Sequence, residues 1–300
     1  MNTKLKQVIE AAIGRIPRIG AWRQAFLRHS TPGHFYSPIP DREEIKRREA
    51  EVFNKDIAIY GIDFNDEVQL DFLDKIKPLL PEAPWKFEKQ ENLAFRYDNI
   101  YYTYSDALTL YGLMRILRPG KIIEVGSGWS SAVMLDTNRL FCESKTRLLF
   151  IEPYPDRLME VKKETDPAEH WQVFIQQVDL DVFRKLNNGD FLFIDTSHVS
   201  KIGSDVNFIL FELLPVLKKG VYVHFHDIHF PFEYPKKWIY EGYAWNENYV
   251  LRAYLTNNAD FEIVFMNTYL EYRYPEKMPE MLFTNYNNSI TGSIWLRKKQ

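Results

Sequence analysis

The chain has one cysteine, Cys142, in 300 residues. That excludes an intramolecular disulfide and leaves the thiol its ordinary role as a small apolar residue in or near the core. No apolar run reaches the length of a membrane span. The apolar residues of the first 30 positions are too scattered for the core of a signal peptide, so a cytoplasmic location is expected. Net charge is also scarce, at −3, which gives no reason to expect nucleic acid as a partner. There is no internal repeat and no low-complexity tract. What is present, 45% hydrophobic and 26% charged residues, excludes disorder and suffices for one large domain or a domain with an appendage.

Residues 1–100 read as a helical accessory segment. Pro17, Pro32, Pro38 and Pro40 punctuate short helical pieces, Asp41 with Glu44 forms a capping box opening a helix over 42–54, and a second helix is expected over 66–80, before Pro81. Lys4, Lys6, Arg15, Arg18, Arg23 and Arg28 face only Glu10 in the opening stretch. Two uses of that basic stretch stay open: peripheral contact with an anionic membrane surface, or packing on its own domain or on a second copy in a homo-oligomer.

From about Tyr101 to the end, apolar strands alternate with amphipathic helices. Strands are expected at 121–125, 146–151, 171–176, 191–195 and 220–226, and two late ones at 261–267 and 293–297 are joined by a polar and aromatic loop. The reading is an α/β fold: a doubly wound, Rossmann-like, seven-stranded sheet, mostly parallel with an antiparallel last strand, preceded by the helical segment. Ligands are expected at the carboxyl ends of its strands.

At the first of those ends, Glu124-Val125-Gly126-Ser127-Gly128 runs from a strand into a tight turn and a helix. Gly126 and Gly128 suit positive φ and a bare backbone against which a ligand can lie, with the helix N–H groups facing it. An acid two positions before the first glycine favours a cationic amino-acid moiety over a pyrophosphate, and so S-adenosylmethionine over NAD. Glu152 ends the second strand, 24 residues beyond Gly128, where a carboxylate suits ribose hydroxyls. Asp179 follows the third and could hold the adenine amino group. Tyr104 and Ser105, the latter read as N-cap of a helix over 106–116, join Glu124, Gly126, Ser127, Gly128, Glu152, Asp179 and Asp195 as candidate cofactor residues.

The fourth strand delivers Asp195 and then His198, and the fifth closes on His224, His226 and Asp227, with His229 beyond. Two strand-terminal aspartates can converge on one divalent cation, with His226 as a third donor. His198 would titrate near ~6.5, which suits a general base. The plain alternative is that Asp195 caps a helix over 201–217 and the histidines are buried hydrogen-bonders.

The series Glu124 to Gly128, Glu152, Asp179, Asp195 and the closing Ser293-Ile294-Trp295-Leu296 resembles the class I S-adenosylmethionine-dependent methyltransferases over about residues 101–300. More narrowly, Phe-Ile-Asp-Thr-Ser-His-Val at 193–199, Gly-Ser-Asp-Val-Asn at 203–207, Phe-His-Asp-Ile at 225–228 and Ser-Pro-Ile-Pro at 37–40 resemble a bacterial subgroup associated with polysaccharide gene clusters. The Asp-x-x-His of Asp195 and His198 is similar to metal-dependent O-methyltransferases that modify macrolide sugars. That resemblance implies a magnesium or manganese ion on Asp195 and Asp227, His198 as catalytic base, and a glycan or small-molecule acceptor. Where those enzymes carry Glu-Asp, this chain has His226-Asp227, an imidazole in place of a hard oxygen donor.

Two other functions remain from the residues themselves. His224, His226 and Asp227 could form the two-histidine, one-carboxylate triad of a non-heme iron oxygenase. Alternatively the fold could be a non-catalytic, cofactor-binding subunit of a polysaccharide assembly complex. Trp238, Tyr240, Tyr243 and Trp245 crowd the segment after the fifth strand, where aromatic faces could stack on a sugar, although packing is the default role in a chain with 7 Trp, 18 Tyr and 21 Phe.

Overall fold

The computed structural model describes residue 30 and residues 33–300. The basic stretch from Lys4 to Arg28 lies outside the described residues. The chain divides into two compact units, one of residues up to Asn54 with Ile239–Ala244, the other of Lys55–Trp238 and Trp245–Gln300.

In the smaller unit Asp41 caps the helix Arg42–Arg47, accepting the N–H groups of Glu43 (2.9 Å) and Glu44 (3.4 Å). The helix expected over 42–54 is interrupted at Arg48, whose φ of −107° and ψ of 19° are not helical, before Glu49–Val52 resumes.

The larger unit is built on a seven-stranded sheet of order β3-β2-β1-β4-β5-β7-β6. Its strands are β1 Lys121–Val125, β2 Arg147–Ile151, β3 Ala168–Trp171, β4 Phe191–Ile194, β5 Tyr222–His226, β6 Phe261–Met266 and β7 Ser293–Lys298. β1 to β5 are mutually parallel, and β7 runs antiparallel to both β5 and β6. The inner strands are mostly apolar because both faces are covered, as parallel sheets require, with Glu124, His224 and His226 as the buried polar exceptions. Ile122, Leu148, Phe150, Phe191 and Phe193 enter one core, with residues of the helices α1 (Asp66–Ile76), α2 (Tyr104–Leu117) and α3 (Trp129–Phe141). Their neighbours Ile123, Leu149, Ile151, Leu192 and Ile194 enter the other, with Ile209, Leu213 and Leu251, as the two-residue period dictates.

Several elements differ from the sequence reading. The division at Asn54 falls well before residue 100, and α1 packs in the larger unit. The Trp85 indole (2.9 Å) and the Phe95 N–H (3.0 Å) both donate to Asp136 on α3. The third strand is Ala168–Trp171 rather than 171–176, so that only Trp171 is shared with the expected one; its partner β2 ends at Ile151, the residue in register with Trp171. With no backbone left to pair, the chain turns into a 3-10 segment over Ile175–Gln177. Ser105 is not the N-cap of its helix; α2 starts at Tyr104 after Thr103, and the Ser105 hydroxyl is buried, donating to the Leu282 carbonyl at 2.7 Å. Between β6 and β7 the chain forms a helix, Asn267–Arg273, with four consecutive buried residues at its start.

The sheet order places the reversal of winding between β1 and β4. The carboxyl ends of β2, β1, β4 and β5 therefore line one crevice, at the switch point where open α/β sheets bind ligands.

Candidate active site

Gly126 lets β1 turn at this crevice. Its φ is +82°, and a methyl group on it would lie 1.6 Å from the Asp195 carbonyl oxygen. The sheet ladder continues through the turn, with Gly126 N–H on the Ile151 carbonyl (3.0 Å) and Asp195 N–H on the Val125 carbonyl (2.9 Å). Gly128 does not use positive φ: its backbone is extended at 174°, and a methyl there would meet the flexible Arg157 side chain at 2.8 Å, which would have to shift. Arg157, on helix α4 (Asp156–Val161), lies across this glycine with its guanidinium 3.9 Å above the Tyr101 ring.

Glu124 and Glu152 hold the turn from two sides. Glu124 is fully buried and accepts the hydroxyls of Ser130 (2.5 Å) and Ser131 in the first turn of α3. Burial pushes its carboxyl up to about 8, against the lowering effect of those hydroxyls. Glu152 accepts Ser127 N–H (3.1 Å) on one oxygen and Tyr154 N–H (2.7 Å) on the other, leaving each oxygen a further lone pair. The Ser127 hydroxyl is buried without a protein partner.

Beside the turn, carboxylates and imidazoles alternate. His198 Nδ1 is 2.9 Å from Glu247 Oε2, while its Nε2 lies 3.4 Å from Asp195 Oδ1 and 3.5 Å from Asp227 Oδ2. His226 Nε2 is 3.6 Å from the other Asp227 oxygen, and His226 Nδ1 is 4.0 Å from Asp106 Oδ2 on α2. The Asp195 side chain is the most open of these groups at 28% exposure, against 7% for His198 and 1% for Glu247. His198 and Asp227 both adopt positive φ, 57° and 56°, conformations that cost non-glycine residues energy and concentrate at functional sites.

The electrostatics follow from this excess of buried carboxylate. Burial alone would lower the His198 pKa, but the hydrogen bonds to Asp195 and Glu247 and the charges of Glu247 and Asp227 outweigh it and hold the imidazole well above its ordinary range. His226 is raised in the same way, burial being overcome by Asp227, Asp195 and Asp106. Asp195 moves down: burial opposes, yet His226, His198 and Arg157 prevail. Burial raises Asp227 and Glu247, and lifts Asp106 to about 6.

Residues 123–228 match the protein family described as a methyltransferase domain. An uncharacterized protein of Archaeoglobus fulgidus is 37% identical over 160 residues, which span 52% of this chain and 72% of that relative. Residues 123–228 thus carry a methyltransferase domain. Similar solved structures include the S-adenosylhomocysteine-bound methyltransferase PaMTH1 of Podospora anserina, at 14% identity over 88% of this chain and 99% of that one with a TM-score of 0.42. A magnesium and S-adenosylmethionine form of CmcI is 16% identical over 63% of this chain and 69% of that one, with a TM-score of 0.37.

The methyltransferase's own residues fit such a cofactor: a bare glycine turn, an unpartnered Ser127 hydroxyl, and a strand-end Glu152 with acceptor capacity to spare. The structure brings together Gly126, Ser127, Gly128, Glu152 and Asp195 at this turn, with His198, His226 and Asp227 beside it. The remaining candidates have these surroundings. Asp179 is exposed and accepts Asp181 N–H at 2.8 Å in its own next turn. Ser105 is committed to Leu282 and Asn267. Tyr104 stacks on Tyr97 at 3.9 Å and lines a separate depression of about 470 Å³ with Glu280 and Tyr286. Glu124 faces the serines of α3 rather than open space.

The metal and oxygenase expectations meet the same geometry. Among the described residues, no three His, Cys, Asp or Glu side chains are arranged to hold a metal ion. Asp195 and Asp227 converge, but on the His198 nitrogen. The oxygenase triad is not assembled either: the His224 ring stacks on Phe193 at 3.9 Å beside Trp295, neither of its nitrogens has a hydrogen-bond partner, and burial holds its pKa well below the ordinary value.

Three residues of this site were missed in the sequence. Asp106 was read only as the start of a helix. Arg157 lies in an unremarkable helical turn, and Glu247 lies 49 residues beyond His198. An acid in the first turn of a helix normally signals only the helix dipole, so nothing local marks Glu247 as the partner of an imidazole.

Proposed function

We propose that this methyltransferase acts on a hydroxyl oxygen, that of a sugar in a glycan or in a nucleotide-linked or lipid-linked precursor, with His198 as the base. One observation supports this above the others: His198 turns Nε2 toward Asp195, whose carbonyl rests on the cofactor turn at Gly126. Proton acceptor and cradle are thus joined through one residue.

When bound, S-adenosylmethionine supplies a methyl group on a positively charged sulfur, which needs no further activation. The protein's part is to place the acceptor oxygen and to remove its proton as the bond forms. Asp195, the most exposed carboxylate of the cluster, would accept a hydrogen bond from a hydroxyl neighbouring the one that is methylated. His198 takes the proton at Nε2, and Asp227 stabilises the resulting imidazolium. Trp245, 4.4 Å from the His198 ring, and Trp238, 5.4 Å from Trp245, offer apolar faces suited to a pyranose. Resemblance of the 193–199 and 225–228 motifs to the polysaccharide-associated subgroup supports the same acceptor class.

A magnesium or manganese ion would draw on Asp195, Asp227 and His226. Because these donors do not surround one point in the structure, the chemistry is derived from position and His198 alone.

The test is transfer of tritiated methyl from the donor into a panel of nucleotide-sugars and lipid-linked glycans. Label in an alkali-stable sugar ether is the expected result. Label only in amines or carboxylates would overturn the acceptor assignment. Donor binding with no transfer to any acceptor would favour a cofactor-binding subunit instead.

A further inference from the structure

The residues that grip His198 come from one place. Helix α5, Glu247–Leu255, begins directly against it: the His198 carbonyl accepts the N–H groups of both Asn246 and Glu247 at 3.1 Å, and the Glu247 carboxylate meets Nδ1 at 2.9 Å. Trp245, the residue before them, covers the ring. The helix start therefore fixes His198 by backbone, by carboxylate and by aromatic contact. The positive φ of His198 is what allows its carbonyl and its ring to meet the same helix terminus.

Among the described residues, the Glu247 carboxylate has no hydrogen-bond partner other than His198. Glu247 is 1% exposed, and its second oxygen, Oε1, is buried without a hydrogen-bond partner. Its charge therefore acts on the imidazole. A buried carboxylate on one ring nitrogen selects the tautomer protonated there and leaves the opposite nitrogen to accept a proton. It also stabilises the imidazolium once that proton has arrived.

We propose that Glu247 is a positioning residue for catalysis: it holds His198 with Nδ1 protonated, so that Nε2 faces the acceptor between Asp195 and Asp227. This rests on the assignment of His198 as base. In proton terms, the acceptor hydroxyl gives its proton to Nε2 while Nδ1–H stays with Glu247, which remains a carboxylate throughout.

The experiment compares Glu247→Gln, Glu247→Ala and His198→Ala with the wild type, each first shown by calorimetry to bind S-adenosylhomocysteine. In ¹⁵N-histidine-labelled wild type bound to S-adenosylhomocysteine, the ring correlations of His198 should show a hydrogen-bonded Nδ1–H. That signal should be lost in Glu247→Ala and altered in Glu247→Gln. Single-turnover transfer of tritiated methyl into the nucleotide-sugar panel should fall by about 10²- to 10⁴-fold in Glu247→Ala. Formate, small enough for the vacated space, should restore part of the rate in a concentration-dependent way, which a merely structural defect would not allow. If His198→Ala is inactive while both Glu247 variants keep the wild-type rate and Nδ1–H signal, the base assignment stands and the role of Glu247 is refuted. If His198→Ala retains full activity, both fall together.

Discussion

Asp195 rests its backbone carbonyl on Gly126 so closely that a single methyl at position 126 would sit 1.6 Å from the oxygen. The ends of β1 and β4 are thus packed backbone to backbone at the glycine turn. Alanine at 126 would combine a strained positive φ, costing about 1–3 kcal/mol, with a contact relieved only by moving β1 or β4. Gly126→Ala should therefore weaken S-adenosylhomocysteine binding at least about fivefold. Unchanged affinity by calorimetry would show that the turn does not hold the cofactor.

Glu152 offers a gentler probe of the same cradle. Its carboxylate fixes Ser127 N–H at 3.1 Å and keeps acceptor capacity for a ribose. Glu152→Ala should cost about 1.5–3 kcal/mol of cofactor affinity, the range for hydrogen bonds to a charged group. A folded variant with wild-type affinity would place the ribose elsewhere.

Asp136 serves stability rather than chemistry. It is 2% exposed and accepts the Trp85 indole and the N–H groups of Ala94 and Phe95, while pairing with Arg139. These bonds tie the segment before α2 to α3. Asp136→Ala would leave the Trp85 and Phe95 donors unpaired, with an expected loss in urea unfolding of about 1–3 kcal/mol for each donor that stays unsatisfied. A change below about 1 kcal/mol would mean that water replaces the carboxylate.

Much of this architecture could be read from the chain because its signals are local. The apolar runs at 121–125 and 191–194 are buried on both faces, and the glycine turn must follow a strand. The strand-end acids Glu152 and Asp195 were visible for the same reason, each following an apolar run directly, and Asp227 because it closes the His224-Phe225-His226 strand. What could not be read depends on distant partners. The third strand stops at Trp171 because β2 runs out, although the residues beyond keep an apolar pattern. Glu247 and Asp106 become functional candidates only when long connections return them to the strand ends, and Ser105 ceases to be one because Leu282 and Asn267 engage its hydroxyl.

Metal dependence can be tested by removal. Asp195 and Asp227 meet at His198 Nε2, and among the described residues no third donor is arranged with them to hold a metal ion, so exhaustive treatment with EDTA should leave most of the transfer rate. Added manganese should not raise it. If chelation abolishes transfer and magnesium or manganese restores it, the two aspartates and His226 rearrange around a cation, and His198 then acts beside a metal.

The pH dependence follows from the charges facing His198. Asp195, Asp227 and Glu247 surround it, with His226 as the opposing cation, and together they hold its imidazole well above the ordinary value near 6.5. A base acts only when unprotonated, so transfer should be low at neutral pH and rise with a single ionisation on the alkaline side of 6.5. Stability should move the other way. A group whose folded pKa is raised contributes fully below its unfolded pKa and loses that contribution as pH passes its folded pKa, so resistance to urea should decline over the interval in which activity appears. His198→Gln, which keeps a hydrogen bond but cannot accept the proton, should remove both trends. A rate profile with its midpoint at or below 6.5, or one that survives in His198→Gln, would assign the ionisation to another group and leave His198 without its role as base.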